Sequence, residues 1–390
     1  MEAQSRLAHI MKTTNVYIAG TNCITPLGFD VESNVLNILN GNSGIRLYTN
    51  TKLLATPFHA GIVDDDKLEA AFTQAGSSRA YTRLEKMMIL ALKPIITRPV
   101  ADGRSVLIVS TTKGNITAIA GIDNVSPDAY LGQLAENISG YFGFTTQPVV
   151  VSNACVSGIL AVSVAKRLLQ SGMYDNAFVV SGDEVTEFVL SGFSSFQAMS
   201  DEPCKPYSAH RNGVTLGEAA AAALITTDKE GAIARITGDS SINDANHISG
   251  PSRTGEGLYR SVTNALNETG VKPEEVDYIS AHGTATVFND EMEAIAFNRA
   301  GLAQVSLNSF KGYYGHTLGA SGLLEAVIGL ESMKQNRLFA SLGYDEPGVS
   351  QRISVITGNS SKTINYFLKT ASGFGGCNTA VLFKKIADGN

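Results

Sequence analysis

A cysteine between a predicted strand and a predicted helix is the residue whose type and place best suit chemistry. Cys155 follows the β-branched run Pro148–Ser152 and precedes the apolar segment Ile159–Leu169, a pattern that predicts a buried strand leading into a helix. The sulfur should face the amides that open the helix, where the helix dipole lowers a thiol's pKa and makes thiolate available near neutral pH. Gly158 should let this turn pack closely against neighbouring backbone. Cys155 is therefore a candidate nucleophile, and a small buried cysteine that fills a gap is the alternative.

Three glycine-containing segments further along the chain have the composition of loops around a site. They are residues 279–286, 308–322 and 372–378. Each follows a strand pattern, and ligand sites in open α/β folds collect at the carboxyl ends of strands. Their histidines, His282 and His316, could give a nucleophilic cysteine hydrogen-bonding and acid–base partners. Each residue also has an ordinary interpretation: His282 as a polar turn residue, Lys311 as a solvated surface lysine and Cys377 as a small packed residue.

The elements that must position these residues alternate along the chain. Strand-like runs begin at Val16, Ser105, Pro148, Ala177 and Ala220, and a second series begins at Ala232, Val276, Val305, Ile353, Asn365 and Ala380. Helical patterns cover Tyr81–Ile96, Ile159–Leu169, Leu258–Glu268, Asp290–Ala300 and Leu323–Gln335. This alternation predicts an α/β protein with largely buried sheets. The two series divide near residue 230, so we expect two related halves, residues 12–230 and 231–390, in one compact unit.

Composition excludes several classes of function. Of the 390 residues, 44% are hydrophobic and 17% are charged, and the net charge of −6 argues against general nucleic-acid binding. The four cysteines form no CxxC pair, so neither a disulfide framework nor a zinc site is expected, and a reducing compartment is the simplest interpretation. No apolar run reaches the roughly 18 residues of a membrane span. We therefore expect a soluble, cytoplasmic protein, with residues 1–11 as a loose extension.

Taken together, these segments resemble a known family. The order of Cys155, His282, Lys311, His316 and the run 373–376 is similar to that in β-ketoacyl-[acyl carrier protein] synthases of the I/II type, in the thiolase-like superfamily. The most specific parts are residues 281–286 with Asp290 and Glu293, and Lys311 followed by Gly315-His316. The resemblance runs from Val16 nearly to the end of the chain. It implies a thiolase-like fold, in which two similar halves form a five-layered αβαβα arrangement.

The resemblance also implies a reaction. Cys155 would take an acyl group as a thioester, and His282 and His316 would hold the malonyl thioester carbonyl and promote loss of carbon dioxide. The carbanion would then attack the acyl group, with the oxyanion on the backbone amides of Cys155 and Phe374. Because negative charge builds on the thioester oxygen during decarboxylation, two imidazole donors aimed there would stabilise the transition state. The product would be a β-ketoacyl-[acyl carrier protein] in fatty acid or polyketide-like biosynthesis.

Supporting roles follow from the same resemblance. Lys311, paired with Glu325, would support the histidines electrostatically, and Phe374 would gate the acyl pocket. Thr284 and Thr286 would bind the phosphopantetheine arm of the acyl carrier protein, so that neither a cofactor nor a metal is expected. The acidic carrier needs a basic patch, for which the candidates are Arg79, Arg83 and Lys86 at the start of a predicted helix. A homodimer, or a heterodimer with a related synthase-like subunit, is expected.

The sequence departs from the family pattern in three places. Residues 153–158 replace the commoner small-residue pattern around the cysteine, Ser372 stands where many type II synthases have a phenylalanine, and residues 205–213 lack acidic residues often found there. These departures suggest a specialised synthase, in secondary metabolism more than in housekeeping fatty acid synthesis.

Three relatives of this family are alternatives. A thiolase would use a second cysteine, and an initiating synthase of the III type would have asparagine in place of His316. A chain-length-determining or decarboxylase partner subunit of a heterodimer is the non-condensing alternative, although it typically lacks the cysteine that this chain has at position 155.

Overall fold

The computed structural model describes residues 14–76, 79–119, 125–244 and 250–386. Its α-helices are α1 (Val31–Leu39), α2 (Asp65–Ala75), α3 (Arg83–Leu92), α4 (Leu131–Phe142), α5 (Ser157–Gln170), α6 (Glu187–Ser195), α7 (Glu256–Thr269), α8 (Val287–Arg299), α9 (Lys311–Tyr314) and α10 (Ser321–Gln335). The strands of the first half are β1 (Val16–Ile24), β2 (Ile45–Tyr48), β3 (Phe58–Gly61), β4 (Ser105–Ser110), β5 (Val149–Val151), β6 (Asn176–Asp183), β7 (Leu216–Gly217) and β8 (Ala219–Thr226). Those of the second half are β9 (Ala234–Asn243), β10 (Tyr278–Ser280), β11 (Ser306–Asn308), β12 (Arg337–Leu338), β13 (Ser354–Val355), β14 (Ser360–Ser361), β15 (Tyr366–Gly373) and β16 (Cys377–Lys385).

The main sheet repeats one strand order in the two halves of the chain. Within the described residues it has 11 strands, in the order β13-β11-β10-β15-β16-β9-β1-β8-β6-β4-β5. The order β1-β8-β6-β4-β5 has the same chain connectivity as β9-β16-β15-β10-β11, and each pair of neighbours has the same direction in both. The halves meet where Val16, Tyr17 and Ile18 of β1 pair with β9.

Helices cover both faces of each half of the sheet. Helices α5 and α10 contact each other and lie between the two halves of the sheet. Helix α10 packs against β8 and β15, and helix α5 packs against β6 and β16. Helices α3 and α4 cover the outer face of the first half, and α7 and α8 that of the second. These are five layers, αβαβα, which confirms the predicted fold class.

Strand β8 shows why the sequence folds this way. All of its residues are buried. Alternate side chains point to opposite faces of a strand, so Ala221 and Ile225 pack into the core between the halves while Ala222 and Leu224 pack into the outer core. A sheet covered on both sides needs such continuous apolar strands.

Sequence patterns located the main elements and missed shorter ones. Every predicted strand and helix has a counterpart, with ends that differ by a few residues. Helices α1, α2, α4, α6 and α9 were not predicted. Residues 1–11 lie outside the described part of the chain, and the domain boundary near residue 230 stays a prediction. Among the described residues, no helix is long and apolar enough to cross a membrane.

Candidate active site

Cys155 lies in a sharp turn between β5 and α5. Ala154 before it has a φ of 46°, a left-handed conformation that is unfavourable for a residue with a Cβ. Helix α5 begins at Ser157, and a Cβ atom on Gly158 would lie 2.7 Å from the backbone oxygen of Gly319. The close approach predicted at Gly158 is therefore confirmed, and it brings the turn against the segment that leads into α10.

The thiol of Cys155 is not the low-pKa group that the sequence predicts. Burial raises the pKa of the Cys155 thiol to about 12, the nearby Cys377 adds to the rise and the positive charge of Lys311 opposes it. The prediction was wrong because burial removes water from the thiol, and this loss of hydration depends on the whole surrounding structure. An acceptor for the thiol proton is present, since His316 Nε2 lies 3.1 Å from the sulfur.

The loop that carries His282 is held by two buried carboxylates of α8. Glu293 accepts hydrogen bonds from the backbone N–H groups of His282 (2.8 Å) and Gly283 (2.6 Å), and Asp290 accepts one from Thr284 (3.0 Å). Gly283 has a φ of 48°, and a Cβ there would lie 2.6 Å from the Cβ of Ser309. The acidic pair of the sequence motif therefore fixes the backbone of this loop.

Lys311 determines which nitrogen of His282 carries the proton. Its ammonium, fully buried, contacts Glu325 Oε1 at 2.7 Å, the backbone oxygen of His282 at 2.5 Å and His282 Nδ1 at 3.3 Å. An ammonium can only donate, so Nδ1 is an acceptor and the proton of a neutral His282 is on Nε2. This geometry agrees with the predicted pairing of Lys311 with Glu325.

His316 joins the thiol to a pair of hydroxyl groups. Its Nδ1 lies 2.9 Å from the hydroxyl of Ser321, which lies 3.1 Å from that of Thr317. The ring centroids of His282 and His316 are 5.2 Å apart. Burial holds the pKa of both imidazoles well below the usual range, and the positive charge of Lys311 lowers it further. Both rings are therefore neutral near pH 7.

These residues surround one cavity of about 500 Å³. Cys155, His282 and His316 line it together with Thr284, Thr286 and Phe374, whereas Lys311 and Glu325 lie behind the histidines. The ring of Phe374 is 37% exposed. A Cβ atom on Gly373 would lie 3.0 Å from the backbone nitrogen of Cys155, so the backbone before Phe374 runs beside the amide of the cysteine.

The structure adds residues that sequence patterns missed. Phe193 of α6 stacks on Phe374 with ring centroids 5.7 Å apart, and Phe196 meets the same ring edge-on. A second buried lysine, Lys369 of β15, contacts Glu325. Lys369 lies within the predicted strand 365–370. A lysine in a strand that is expected to be buried indicates a buried partner of opposite charge, because lysine is rarely buried without one. In the described part of the chain, no cluster of His, Cys, Asp or Glu side chains could hold a metal ion.

The basic segment expected to bind the carrier protein is engaged within the fold. Arg83 forms salt bridges with Glu218 at 2.6 Å, Asp65 at 2.6 Å and Glu184 at 3.3 Å, and its side chain is 28% exposed. Lys86 is paired with Glu69. Arg79 is exposed and donates to Asn137 Oδ1 at 2.7 Å. Because three carboxylates surround its guanidinium group, Arg83 stabilises the first half of the fold and adds little positive charge to the surface.

We expect Arg83→Met to destabilise the protein. The Glu218 side chain is 1% exposed, and removing one partner of a buried ion pair costs about 3 kcal/mol. Urea unfolding should show a midpoint well below that of the unsubstituted protein. The control is Arg104→Met, whose partner Asp175 is 52% exposed and whose loss should move the midpoint far less, because solvent-exposed ion pairs contribute little to stability. Equal midpoints for the two variants would contradict the structural role of Arg83.

Solved structures that align over nearly the whole chain show which fold this is. A ketosynthase in complex with its chain length factor, from Xenorhabdus doucetiae, aligns with a TM-score of 0.85 at 23% identity, covering 96% of this chain and 99% of the other. A β-ketoacyl synthase from Burkholderia phymatum aligns with a TM-score of 0.84 at 22% identity, covering 96% and 100%. The fold is that of the thiolase-like ketosynthases.

Sequence comparison then gives the family. The β-ketoacyl synthase N-terminal domain matches residues 123–231 and the C-terminal domain matches residues 233–345. The chain is 28% identical to the 3-oxoacyl-[acyl-carrier-protein] synthase 2 of Synechocystis, over 96% of this chain and 99% of that protein. It is also 28% identical to a putative mitochondrial 3-oxoacyl-[acyl-carrier-protein] synthase of Schizosaccharomyces pombe, over 95% and 99%. The chain belongs to the β-ketoacyl synthase family.

Proposed function

We propose that the chain is a condensing enzyme that joins a Cys155-bound acyl group to malonyl-[acyl carrier protein] with loss of carbon dioxide. The observation that carries this proposal is the placement of Cys155, His282 and His316 around one cavity, with Lys311 behind the histidines. The names of its relatives, 3-oxoacyl-[acyl-carrier-protein] synthases, support the same reaction.

The first half-reaction loads the cysteine. The neutral thiol transfers its proton to Nε2 of His316, 3.1 Å away, and the sulfur attacks the carbonyl of an acyl thioester. The carrier thiolate leaves and takes up a proton, which returns His316 to its neutral form. Activation of a weak nucleophile by an adjacent base suits a thiol that burial keeps protonated.

The second half-reaction makes the new bond. The bond between the carboxylate and Cα of the malonyl group breaks, carbon dioxide leaves, and the electron pair becomes an enolate whose oxygen accepts from Nε2–H of His282 and His316. The hydroxyls of Ser321 and Thr317 can either donate to or accept from Nδ1 of His316, so this ring can present a proton at Nε2 after loading. Preorganised donors of this kind stabilise developing charge.

Carbon–carbon bond formation completes the cycle. The enolate carbon attacks the acyl carbonyl on Cys155, whose oxygen moves onto the backbone amides of Cys155 and Phe374. Collapse of this intermediate releases the thiolate of Cys155, which takes up one proton from solvent, so that each condensation consumes one proton. The electrons of the new bond come from the malonyl group, so this proposed sequence uses no bound cofactor or metal.

The substrates of the proposed reaction arrive on phosphopantetheine. The hydroxyls of Thr284 and Thr286, 2.8 Å apart on the cavity wall, are proposed to bind that arm. Phe374, on which Phe193 stacks, is proposed to gate the acyl group. A cytoplasmic location and a homodimer are part of the proposal. The chain length factor in the Xenorhabdus complex favours a heterodimer as the second possibility, and a partner-subunit role remains the alternative function.

The test is to incubate the protein with acylated and malonylated carrier protein and identify the products by mass. The expected result is an acyl adduct on Cys155, followed by a β-ketoacyl carrier protein and one carbon dioxide for each product. Decarboxylation without any acyl adduct would favour the partner-subunit alternative, and absence of both products with a panel of acyl chain lengths would contradict the proposal.

Docking of the acidic carrier protein is proposed at the basic segment with Arg79 as its exposed member, because Arg83 and Lys86 are both paired with carboxylates. Reversing Arg79 to glutamate should raise KM for the carrier-bound substrate and flatten its salt dependence, because complementary charge mainly speeds encounter. Turnover of a small pantetheine thioester should change little. Arg260→Glu, which alters an exposed arginine on α7, is the control. Equal losses on both substrates would contradict docking at this segment.

A further inference from the structure

A second buried lysine lies behind the candidate active site. The side chain of Lys369, in β15, is fully buried. Its ammonium donates to the backbone oxygens of Ser280 at 3.2 Å and Ala281 at 3.3 Å and to Glu325 Oε2. A buried ammonium is costly unless all its protons are bonded, and here each of the three has an acceptor.

Lys369 and Lys311 share one carboxylate. Glu325 accepts from Lys311 through Oε1 and from Lys369 through Oε2. Because both oxygens are engaged, the carboxylate cannot rotate away from Lys311, which contacts Nδ1 of His282. Two ammonium groups and one carboxylate also leave a net positive charge beneath the imidazoles, where electrostatic effects are larger than in water.

The two lysines also hold the backbone that leads to His282. The oxygens of Ser280 and Ala281 accept from Lys369, and the oxygen of His282 itself accepts from Lys311 at 2.5 Å. Three consecutive carbonyl groups at the end of β10 are thus fixed by ammonium groups. The register of the sheet, in which Ser280 pairs with Lys369, makes this contact possible.

We propose that Lys369 is a positioning residue for the decarboxylation half-reaction: by fixing Glu325 and the end of β10 it aims Nε2–H of His282 at the malonyl thioester oxygen, and its charge favours the enolate. This inference rests on the proposed condensing function. Lys369 acts through Lys311, Glu325 and the backbone, since it does not line the cavity.

Titratable and charged groups from several elements lie around the two imidazoles and Lys369. The imidazoles face Lys311 of α9, Lys113 after β4 and the neutral thiol of Cys155, and Lys369 faces Glu325 of α10 and Glu293 of α8. Burial is the main cause that holds the pKa of His282 and His316 low, and Lys369 contributes through its charge. Removing that charge raises both pKa values, so protonation of the rings should begin at higher pH.

The test measures the two half-reactions of Lys369→Met separately. The kcat for malonyl decarboxylation should fall by about 10-fold to 10²-fold, the size of effect expected when a catalytic group is misplaced by about 1 Å. KM for malonyl carrier protein and the rate of Cys155 acylation should each change by less than about threefold. The acid limb of the decarboxylation pH profile should move to higher pH, because the positive charge of Lys369 helps to hold the imidazole pKa values low. It is the shift together with a loss confined to decarboxylation that a loss of packing alone would not produce.

Lys166→Met is the matched control, since Lys166 is also a buried lysine that bonds two carboxylates, those of Asp239 and Glu268. It should lose stability without moving the acid limb or the ratio of the two rates. If Lys369→Met does not fold, Lys369→Gln, which keeps an uncharged donor, should show the same shift of the acid limb.

Two results separate this inference from the function on which it rests. Equal losses in both half-reactions with an unmoved acid limb, or unchanged decarboxylation in a folded variant, would make Lys369 a packing residue and overturn the inference. Absence of decarboxylation by the unsubstituted protein would instead overturn the proposed function.

Discussion

Cys155→Ala is expected to reduce condensation below detection. Cys155 is 8% exposed and its sulfur lies at the cavity wall beside His316. Cys23, Cys204 and Cys377 do not line that cavity, so no other thiol of the chain is placed to accept the acyl group. Removal of a catalytic nucleophile costs on the order of 10⁶-fold in kcat in another enzyme that uses covalent catalysis. The acyl adduct measured by intact mass should disappear together with β-ketoacyl product.

A matched cysteine variant separates this effect from destabilisation. Cys23→Ala removes a thiol that is fully buried in β1, away from the cavity, and should retain the adduct and most of the activity. Labelling by a thiol-directed inhibitor should map to Cys155 and vanish in Cys155→Ala. Persistent labelling at Cys23, Cys204 or Cys377 with unchanged condensation would contradict the assignment of the nucleophile.

The second largest effect is expected at the histidines. His282→Ala and His316→Ala should each slow malonyl decarboxylation by roughly 10²–10³, because each removes one preorganised donor to the enolate oxygen. Acylation of Cys155 should survive in part, and His316→Ala should impair it more than His282→Ala does, because His316 is the ring that contacts the sulfur. Release of carbon dioxide and the rate of adduct formation measure the two steps separately.

His210→Ala provides the control for loss of an imidazole. His210 is an exposed residue paired with Asp345, so neither half-reaction should change. Decarboxylation at the unsubstituted rate in both His282→Ala and His316→Ala would remove the histidines from the mechanism, and condensation would then need another source of charge stabilisation.

The segments that carry the chemistry were identifiable from sequence because each is a local pattern. Cys155 follows an apolar strand and precedes an apolar helix, and His282 with Lys311 and His316 follow strands β10 and β11. Alternation of such strands with helical patterns also predicted an α/β fold with largely buried sheets, whereas the five layers were implied by the family resemblance. Helices α1, α2, α4 and α6 were missed even though each buries apolar side chains.

The electrostatics of the site were decided by the tertiary structure. The pKa of the Cys155 thiol rises because the surrounding fold removes water from it. This loss of hydration depends on residues far apart in the sequence, so the local sequence around Cys155 does not predict it. Arg83 is occupied by carboxylates that come from distant parts of the chain, at Asp65 and Glu218. Lys369 reaches the site because β15 pairs with β10 beneath α10. Sequence thus determined which residues carry the proposed chemistry and their order along the chain. Long-range packing determined their protonation states and their partners, because charge interactions depend on distance in space and on solvent exposure and not on separation along the chain.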